Sequence, residues 1–205
     1  MAEPSLKELK SRDTDVEIVW RAFELRPAPV PPLDPRGEYL TRVWRDAVYP
    51  MAERLEIPMR LPPVQPRSRR AHEAAQWAEA QGRFDDYNAA LFRDFFERGE
   101  DIGDVEVLIN LAAELKLDAA SLRLSLERRE HEAQVLSDER AAEELGVTGV
   151  PAFIADRRAV LFGVQTAAAL AELVARVRGV KRQDEASITL QHLPVSINRR
   201  EQNEE

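Results

Sequence analysis

The chain has 205 residues, of which 44% are hydrophobic and 32% are charged, and it contains no cysteine. Its formal net charge of −8 argues against a nucleic-acid partner, because phosphate binding requires a basic surface. Without cysteine, these residues can form no disulfide, no catalytic thiolate and no thiolate metal site.

The N-terminal part predicts a short helix, a strand and a proline-rich connector. Leu6 and Leu9 lie three residues apart in EPSLKELKSR (3–12), as on one face of a helix. The segment DVEIVWRAFEL (15–25) is rich in alternating β-branched and aromatic residues, which predicts a strand. RPAPVPPLDP (26–35) then interrupts regular structure, because proline fits neither a helix interior nor a central strand.

Helical periodicity runs through most of residues 36–144. Pro50 is expected to kink or break the first of these helices, and a second proline-rich link follows at 58–68. Capping and stop residues predict further helices over 67–82, 84–98, 104–116, 118–129 and 131–144. An apolar stripe is expected to pack in the core between helices rather than to bind a cofactor. It consists of Tyr87, Leu91, Phe92, Phe95 and Phe96.

Strand patterns return in the C-terminal third of the chain. PAFIA (151–155) and AVLFG (159–163), with a short turn between them, predict an antiparallel hairpin. An amphipathic helix is predicted over 166–179, and SITLQHL (187–193) in the tail is one further strand candidate. This order of elements predicts an α/β sheet with an inserted all-helical subdomain.

Motifs for metal, nucleotide or serine-nucleophile chemistry are absent from the sequence. His72, His131 and His192 lack metal-ligand spacing and are expected at surface or cap positions. The acids of GEDIGD (99–104) do not match a calcium loop, and Asp104 is explained as a helix N-cap. Neither phosphate-binding glycine motifs nor G-x-S-x-G occur. We therefore predict no cofactor, no metal and no catalytic residue in this chain.

The N-terminus predicts no export signal, since MAEPSLKELK has neither a basic start nor an apolar stretch. An apolar run approaching the roughly 20 residues that span a bilayer is also missing. The expectation is therefore a cytoplasmic protein without a membrane partner.

Three segments together resemble the DsbA-like branch of the thioredoxin superfamily, most closely its FrnE-type bacterial oxidoreductases. They are VEIVWRAFELRP (16–27), FDDYNAALFRDFFERGEDIGDVEVLINLAAELKLD (84–118) and AAEELGVTGVPAFIADRRAVLFGVQ (141–165). The last is the most specific, because the family carries a Gly-Val-x-Gly-Val-Pro-x-Phe run with a cis-proline. A Gly-Ala-Gln run follows in the family, from which GVQ (163–165) departs slightly.

The resemblance implies a thioredoxin-like fold divided by a helical insertion. Residues 1–35 and 145–179 would form its two parts, 36–144 the insertion and 180–205 a C-terminal tail. In the family, a strand and a Cys-Pro-x-Cys motif precede a segment like AEPSLKELKS, so a natural start further upstream is expected here. Otherwise a strand from a second subunit, from a partner or from the tail would have to fill the sheet, which leaves a homodimer open.

The same resemblance implies that Gly149, Val150 and Pro151 bind a protein or peptide substrate in an extended conformation. A cis bond before Pro151 would turn the carbonyl and amide of Val150 outward, where they could pair with a substrate backbone. The simpler interpretation is a proline at the first residue of a strand, where a missing N–H is harmless.

Three functions remain open at this stage. The family activity is thiol–disulfide exchange on protein substrates, which needs a low-pKa thiolate, so this cysteine-free chain alone would be inactive in redox chemistry. A non-redox peptide-binding or chaperone-like module would need no thiol. The third candidate is a glutathione-dependent relative, similar to kappa-class glutathione transferases and 2-hydroxychromene-2-carboxylate isomerases, whose active-site serine would also fall upstream of Met1.

Overall fold

The computed structural model describes the backbone of residues 1–191 and the side chains of residues 1–179. Most of this part is helical, and two short strands form one antiparallel hairpin. The helices are α1 (Glu3–Arg12), α2 (Glu38–Val43), α3 (Tyr49–Arg54), α4 (Arg69–Glu79), α5 (Phe84–Arg93), α6 (Val105–Glu114), α7 (Ala119–Arg128), α8 (Glu132–Glu144) and α9 (Ala167–Gln191). The strands are β1 (Ala152–Ala155) and β2 (Ala159–Phe162).

The helices predicted between 67 and 144 are confirmed, and their ends are fixed by local chemistry. Asp104 and Asp118 cap α6 and α7, and their side chains accept hydrogen bonds from the backbone N–H groups of Glu106 and Ser121. Gly99 ends the helical run that begins with α5, with a φ of +79° that glycine adopts without a steric penalty. Periodicity and caps were therefore sufficient to place these elements.

Two π-helical segments interrupt the regular helices. Trp44–Val48 joins α2 to α3, so the chain continues through Pro50, the second residue of α3, where a kink or break was expected. Proline donates no backbone hydrogen bond, and the Tyr49 N–H just before it bonds to the Trp44 carbonyl at the wider π-helical spacing.

The second π-helical segment, Asp94–Arg98, extends α5 and contains the last two aromatic residues of the predicted apolar stripe. Tyr87 and Leu91 are buried as predicted, whereas Phe92 is 40% exposed and its neighbour Asp94 is buried. The predicted apolar stripe is therefore only partly correct. Phe92 precedes the π-helical segment, and Phe95 and Phe96 within it are half-buried.

The largest hydrophobic cluster lies within the insertion, where α4, α5, α6 and α7 pack together. Tyr87, Leu108 and Leu122 are completely buried in it. The ring of Tyr87 meets that of Trp77 edge-on at 6.3 Å, and its hydroxyl donates to the Leu108 carbonyl at 2.8 Å. Burial raises the pKa of Tyr87, so the hydroxyl stays protonated and continues to donate.

The predicted hairpin is confirmed, with Ala152 opposite Phe162 and Ile154 opposite Val160. Helix α9 contacts both strands and also packs on α1. An ion pair between Arg178 and Asp13 links α9 to the end of α1. Elements from the two ends of the described chain therefore form one layer beside the hairpin.

Residues 15–25 do not form the predicted strand. Their exposure does alternate, because Glu17, Val19, Arg21 and Leu25 are exposed and the even-numbered residues between them are half-buried or buried. Phe23 departs from the alternation, because it is half-buried at a position where an exposed residue is expected. Strand assignment requires backbone pairing, and in the described part of the chain the sheet contains only β1 and β2. The sequence pattern therefore predicts the alternating exposure of residues 15–25 correctly. It does not show whether a neighbouring strand is present to pair with them.

The strand predicted at 187–193 is also wrong as far as the structure describes it. Residues 187–191 belong to α9, and 192–193 lie outside the described residues. The helix continues through Gly179, its expected stop, because one glycine inside a helix costs only about 1 kcal/mol. Within the described residues, no helix is both long and apolar enough to cross a membrane.

Candidate functional site

The predicted site residues Gly149, Val150 and Pro151 form the end of the loop that enters β1 from α8. Val150 places an apolar side chain in solvent, with 52% of its surface exposed. The peptide bond between Val150 and Pro151 is cis, as is that between Ala28 and Pro29 in the first connector. The Pro151 carbonyl accepts a hydrogen bond from the Gly163 N–H at 2.9 Å, which ties this loop to the end of β2.

The backbone at this point is available for pairing. In the part of the chain that the structure describes, Gly149 and Val150 make no backbone hydrogen bond. A Cβ placed on Gly149 would meet nothing within 4 Å, so the space beside it is open. Pro151 lacks an N–H, which costs nothing at a position just before a strand. The loop therefore presents donors, acceptors and one apolar side chain at an open strand end.

Further apolar surface continues from the loop onto the hairpin. Ile154 is 38% exposed and Phe162 is 51% exposed, although α9 packs against both strands. The register places Ile154 opposite Val160 and Phe162 opposite Ala152, and directly opposed residues share one face of a sheet. Sequence reasoning did not identify Ile154 and Phe162, because both strands are apolar throughout and their pattern does not reveal which face stays uncovered.

Two open cavities flank residues 17–21, with volumes of about 460 and 900 Å³. Val19, Trp20 and Glu79 line both of them. Within the described residues, the backbone groups of 17–21 form no hydrogen bond. These cavities could not be predicted from the sequence, because their walls come from α1, α4, α5 and α8 as well as from this segment.

His72 does not lie at the surface or cap position that was expected for it. It is half-buried on α4 against the backbone of Phe23, and burial lowers its pKa, so the imidazole is neutral. His131 is the N-cap residue of α8, in agreement with the expectation, and His192 lies outside the described residues. Among the residues that the structure describes, no group of three or more metal-ligating side chains occurs.

The surface at Gly149, Val150 and Pro151 contains no titratable side chain, and the whole sequence contains no cysteine. It can therefore bind a partner through backbone pairing and apolar contact. These three residues supply no acid, base or thiolate for a reaction of their own.

The family of DSBA-like thioredoxin domains matches residues 1–175 of this chain. The uncharacterized protein YwbO of Bacillus subtilis is 38% identical over 144 residues, which cover 68% of this chain and 72% of that protein. A structure described as a probable DsbA oxidoreductase, from Streptomyces coelicolor, superposes with a TM-score of 0.69 at 25% identity, covering 87% of this chain and 83% of the other. A 2-hydroxychromene-2-carboxylate isomerase superposes with a TM-score of 0.64 over 89% of this chain and 90% of its own; at 18% identity this likeness is one of fold alone.

Proposed function

This chain belongs to the family of DSBA-like thioredoxin domains, and on that basis we propose that it binds an extended segment of a protein substrate at Gly149, Val150 and Pro151. Its fold is the DsbA-like thioredoxin fold, mostly helical with a small two-stranded sheet in the described residues. In thiol–disulfide exchange, the activity that the FrnE-type resemblance implies, such a step holds the substrate in place for thiolate attack.

The observation that carries this proposal is the exposed Val150 beside unpaired backbone at the start of β1. An extended peptide that adds to a strand gains affinity from backbone hydrogen bonds and specificity from alternate side chains. Each such bond contributes about 0.5–1.5 kcal/mol, so a few bonds with one apolar contact give weak, exchangeable binding. Weak binding is what a protein needs if it must release many different substrates.

The thiol step needs a thiolate that residues 1–205 do not contain. Binding, which we assign to this chain, is therefore separate from electron transfer, which requires a thiol outside residues 1–205. Without that thiol the same surface acts as a non-redox, chaperone-like binding module. A cytoplasmic location belongs to this proposal as well.

Fluorescence anisotropy of a short fluorescein-labelled peptide of alternating valine and threonine tests the binding step. Val150→Asp should weaken binding about tenfold or more, because a charge replaces an apolar contact worth about 1.4 kcal/mol or more. Val30→Asp is the matched control, since Val30 is 42% exposed in the first connector, and it should bind like the wild type.

Wild-type protein that leaves the anisotropy unchanged, or Val150→Asp protein that binds as tightly as wild type, would contradict the proposal. In the same preparation, insulin reduction should not exceed the rate without protein. A faster rate would contradict the assignment of the thiol to a position outside residues 1–205 while leaving the binding result unaffected.

A further inference from the structure

Residues 21–24 pass between α4 and α8. Side chains of those two helices form hydrogen bonds with the backbone of this segment, which has no neighbouring strand in the described part of the chain. The Ala22 N–H donates to the Asp138 carboxylate at 3.1 Å, in a buried position. The same carboxylate accepts hydrogen bonds from Arg21 at 3.0 Å and from Gln134 at 3.1 Å. From the other side, His72 faces the backbone of Phe23. We refer to residues 21–24 with these contacts as the joint.

The joint also contains two acidic side chains that share one arginine. Glu24 is only 6% exposed and accepts a hydrogen bond from Arg69, whose other nitrogen lies 3.5 Å from Oε2 of Glu139. The remaining carboxyl oxygen of Glu139, Oε1, is buried and has no hydrogen-bond partner in the part of the chain that the structure describes. One guanidinium therefore faces two carboxyl groups and satisfies them incompletely.

A proton on Glu139 removes this deficit. A buried carboxylate oxygen without a donor is costly, and two buried carboxylates close together repel each other. Burial, the charge of Glu24 and a hydrogen bond to the Glu24 side chain all raise the pKa of Glu139, while Arg69 and a hydrogen bond from the Glu24 backbone act in the opposite direction. A protonated Glu139 becomes a donor to Glu24, so the two groups attract one another instead of repelling.

We propose that the joint is a proton-dependent latch. With one proton between Glu24 and Glu139, it holds residues 21–24 against α4 and α8, and loss of that proton loosens it. The latch follows from the geometry of the joint and is independent of peptide binding at Val150.

The charges around Glu139 support this direction. Glu24 of the segment and Arg69 of α4 act directly on Glu139. Around them, the joint also includes Arg21 of the segment, His72 of α4, and Glu132 and Asp138 of α8. Burial lowers the pKa of His72, so its imidazole is neutral at pH 7, and Glu132 is paired with Arg129. Once Glu139 ionises, the carboxylates of Glu24, Asp138 and Glu139 therefore face two arginines of the joint, Arg69 and Arg21. One of these, Arg21, is 61% exposed and screened by water.

The sign of the pH dependence follows from the raised pKa. A carboxyl group whose pKa is higher in the folded protein stabilises that form fully below the ordinary glutamate pKa of about 4.3. This stabilisation is lost as the pH rises through the raised value. The latch is therefore closed at acidic pH and loosens toward neutral or alkaline pH, which would move Val19 and Trp20, two residues that line both cavities.

Hydrogen exchange measured by NMR tests the latch at a single bond. The amide of Ala22 reports on the joint, and the fully buried Leu108 amide in α6 corrects for the intrinsic pH dependence of exchange. From about pH 5 to pH 8, protection of Ala22 relative to Leu108 should fall, by at most about tenfold per pH unit for one proton. Glu139→Gln should give high protection without pH dependence, because its amide donates to Glu24 and never ionises.

The matched control is Glu143→Gln, an exposed substitution on the same helix, which should retain the wild-type fall. A pH-independent ratio in the wild type, or a wild-type fall in Glu139→Gln, would overturn the proposal. The wild type alone can also decide it: if the side-chain carboxyl carbon of Glu139 titrates at the ordinary glutamate pKa, no shared proton exists and the latch is ruled out, even if Glu139→Gln fails to fold.

Discussion

The apolar residues that have no exposed surface lie in the helical insertion of this molecule, whereas several of the most exposed apolar residues lie in its thioredoxin-like part. In the insertion, Tyr87, Leu108 and Leu122 are completely shielded from water. In the thioredoxin-like part, Val19, Val150 and Phe162 each keep about half of their surface exposed. Stability and binding capacity are thus assigned to different regions: the insertion has a closed core, and the other part has apolar surface and unpaired backbone available to a partner.

The contacts between the two regions are mainly polar, unlike the apolar packing inside the insertion. Residues 21–24 are held to α4 and α8 mainly by ionic and hydrogen-bonding groups, such as the pairs of Asp138 with Arg21 and of Arg69 with Glu24. Polar contacts of this kind depend on geometry and protonation more than apolar packing does. We therefore expect the region between insertion and hairpin to respond to conditions that leave the insertion core unchanged.

The largest effect should come from truncating the insertion core. Leu108→Ala is expected to lower the free energy of unfolding by about 2–5 kcal/mol, because it removes a fully buried side chain and leaves a cavity. Phe162→Ala, at a position 51% exposed on the hairpin, should cost less than about 1 kcal/mol. Urea denaturation of both variants measures the contrast, and equal losses would refute the division between the two regions.

Removal of the central acceptor of the joint should have the next largest effect. Asp138→Ala leaves the buried Ala22 N–H without a partner and removes the bond from Arg21, so the expected loss is about 2–3 kcal/mol. The exposed Glu143→Ala on the same helix serves as the control and should be nearly neutral. If Asp138→Ala also proved neutral in urea denaturation, the polar contacts would not hold the segment in place.

A smaller effect is expected from the single polar contact inside the insertion core. Tyr87→Phe removes the hydroxyl that donates to the Leu108 carbonyl and should cost about 1 kcal/mol. Tyr39→Phe, at a position 56% exposed, should leave the unfolding midpoint unchanged. Should the two variants unfold at the same urea concentration, the buried hydroxyl adds nothing beyond the packing of its ring.

An effect of similar size is expected from the loss of one helix cap. Asp118→Ala removes the acceptor for the Ser121 N–H at the start of α7 and should cost about 1 kcal/mol. Asp118→Asn retains an acceptor and should recover most of that loss. Thermal unfolding followed by circular dichroism gives the comparison, and an equal loss in both variants would mean that capping is not the cause.

Features determined by near neighbours in the sequence could be predicted from it. The helix ends at Asp104 and Asp118 and the hairpin around residues 156–158 depend on residues a few positions apart, and the structure confirms them. Gly149, Val150 and Pro151 were found through a resemblance to a family; the structure adds the exposure of Val150, and their role in binding remains a prediction.

Features that depend on distant contacts could not be predicted. The alternation in residues 15–25 predicts a strand, but pairing requires a partner that propensity does not supply. The joint brings Glu24 next to Glu139, more than one hundred residues away in the sequence, and neither residue carries a local motif. His72 was expected near the surface for the same reason, since only the folded chain places Phe23 over it.

The π-helical segment Asp94–Arg98 has a consequence for comparing this chain with its relatives residue by residue. It contains one more residue than an α-helical path between Tyr87 and the cap at Asp104 would need. A relative with a regular helix at this point would match the core on both sides only if a one-residue gap were placed inside 94–98. An ungapped alignment would pair Asp94 or Phe95 with a residue of the relative that is not structurally equivalent. A substitution pattern taken from that alignment would then assign the buried position of Asp94 to the wrong residue.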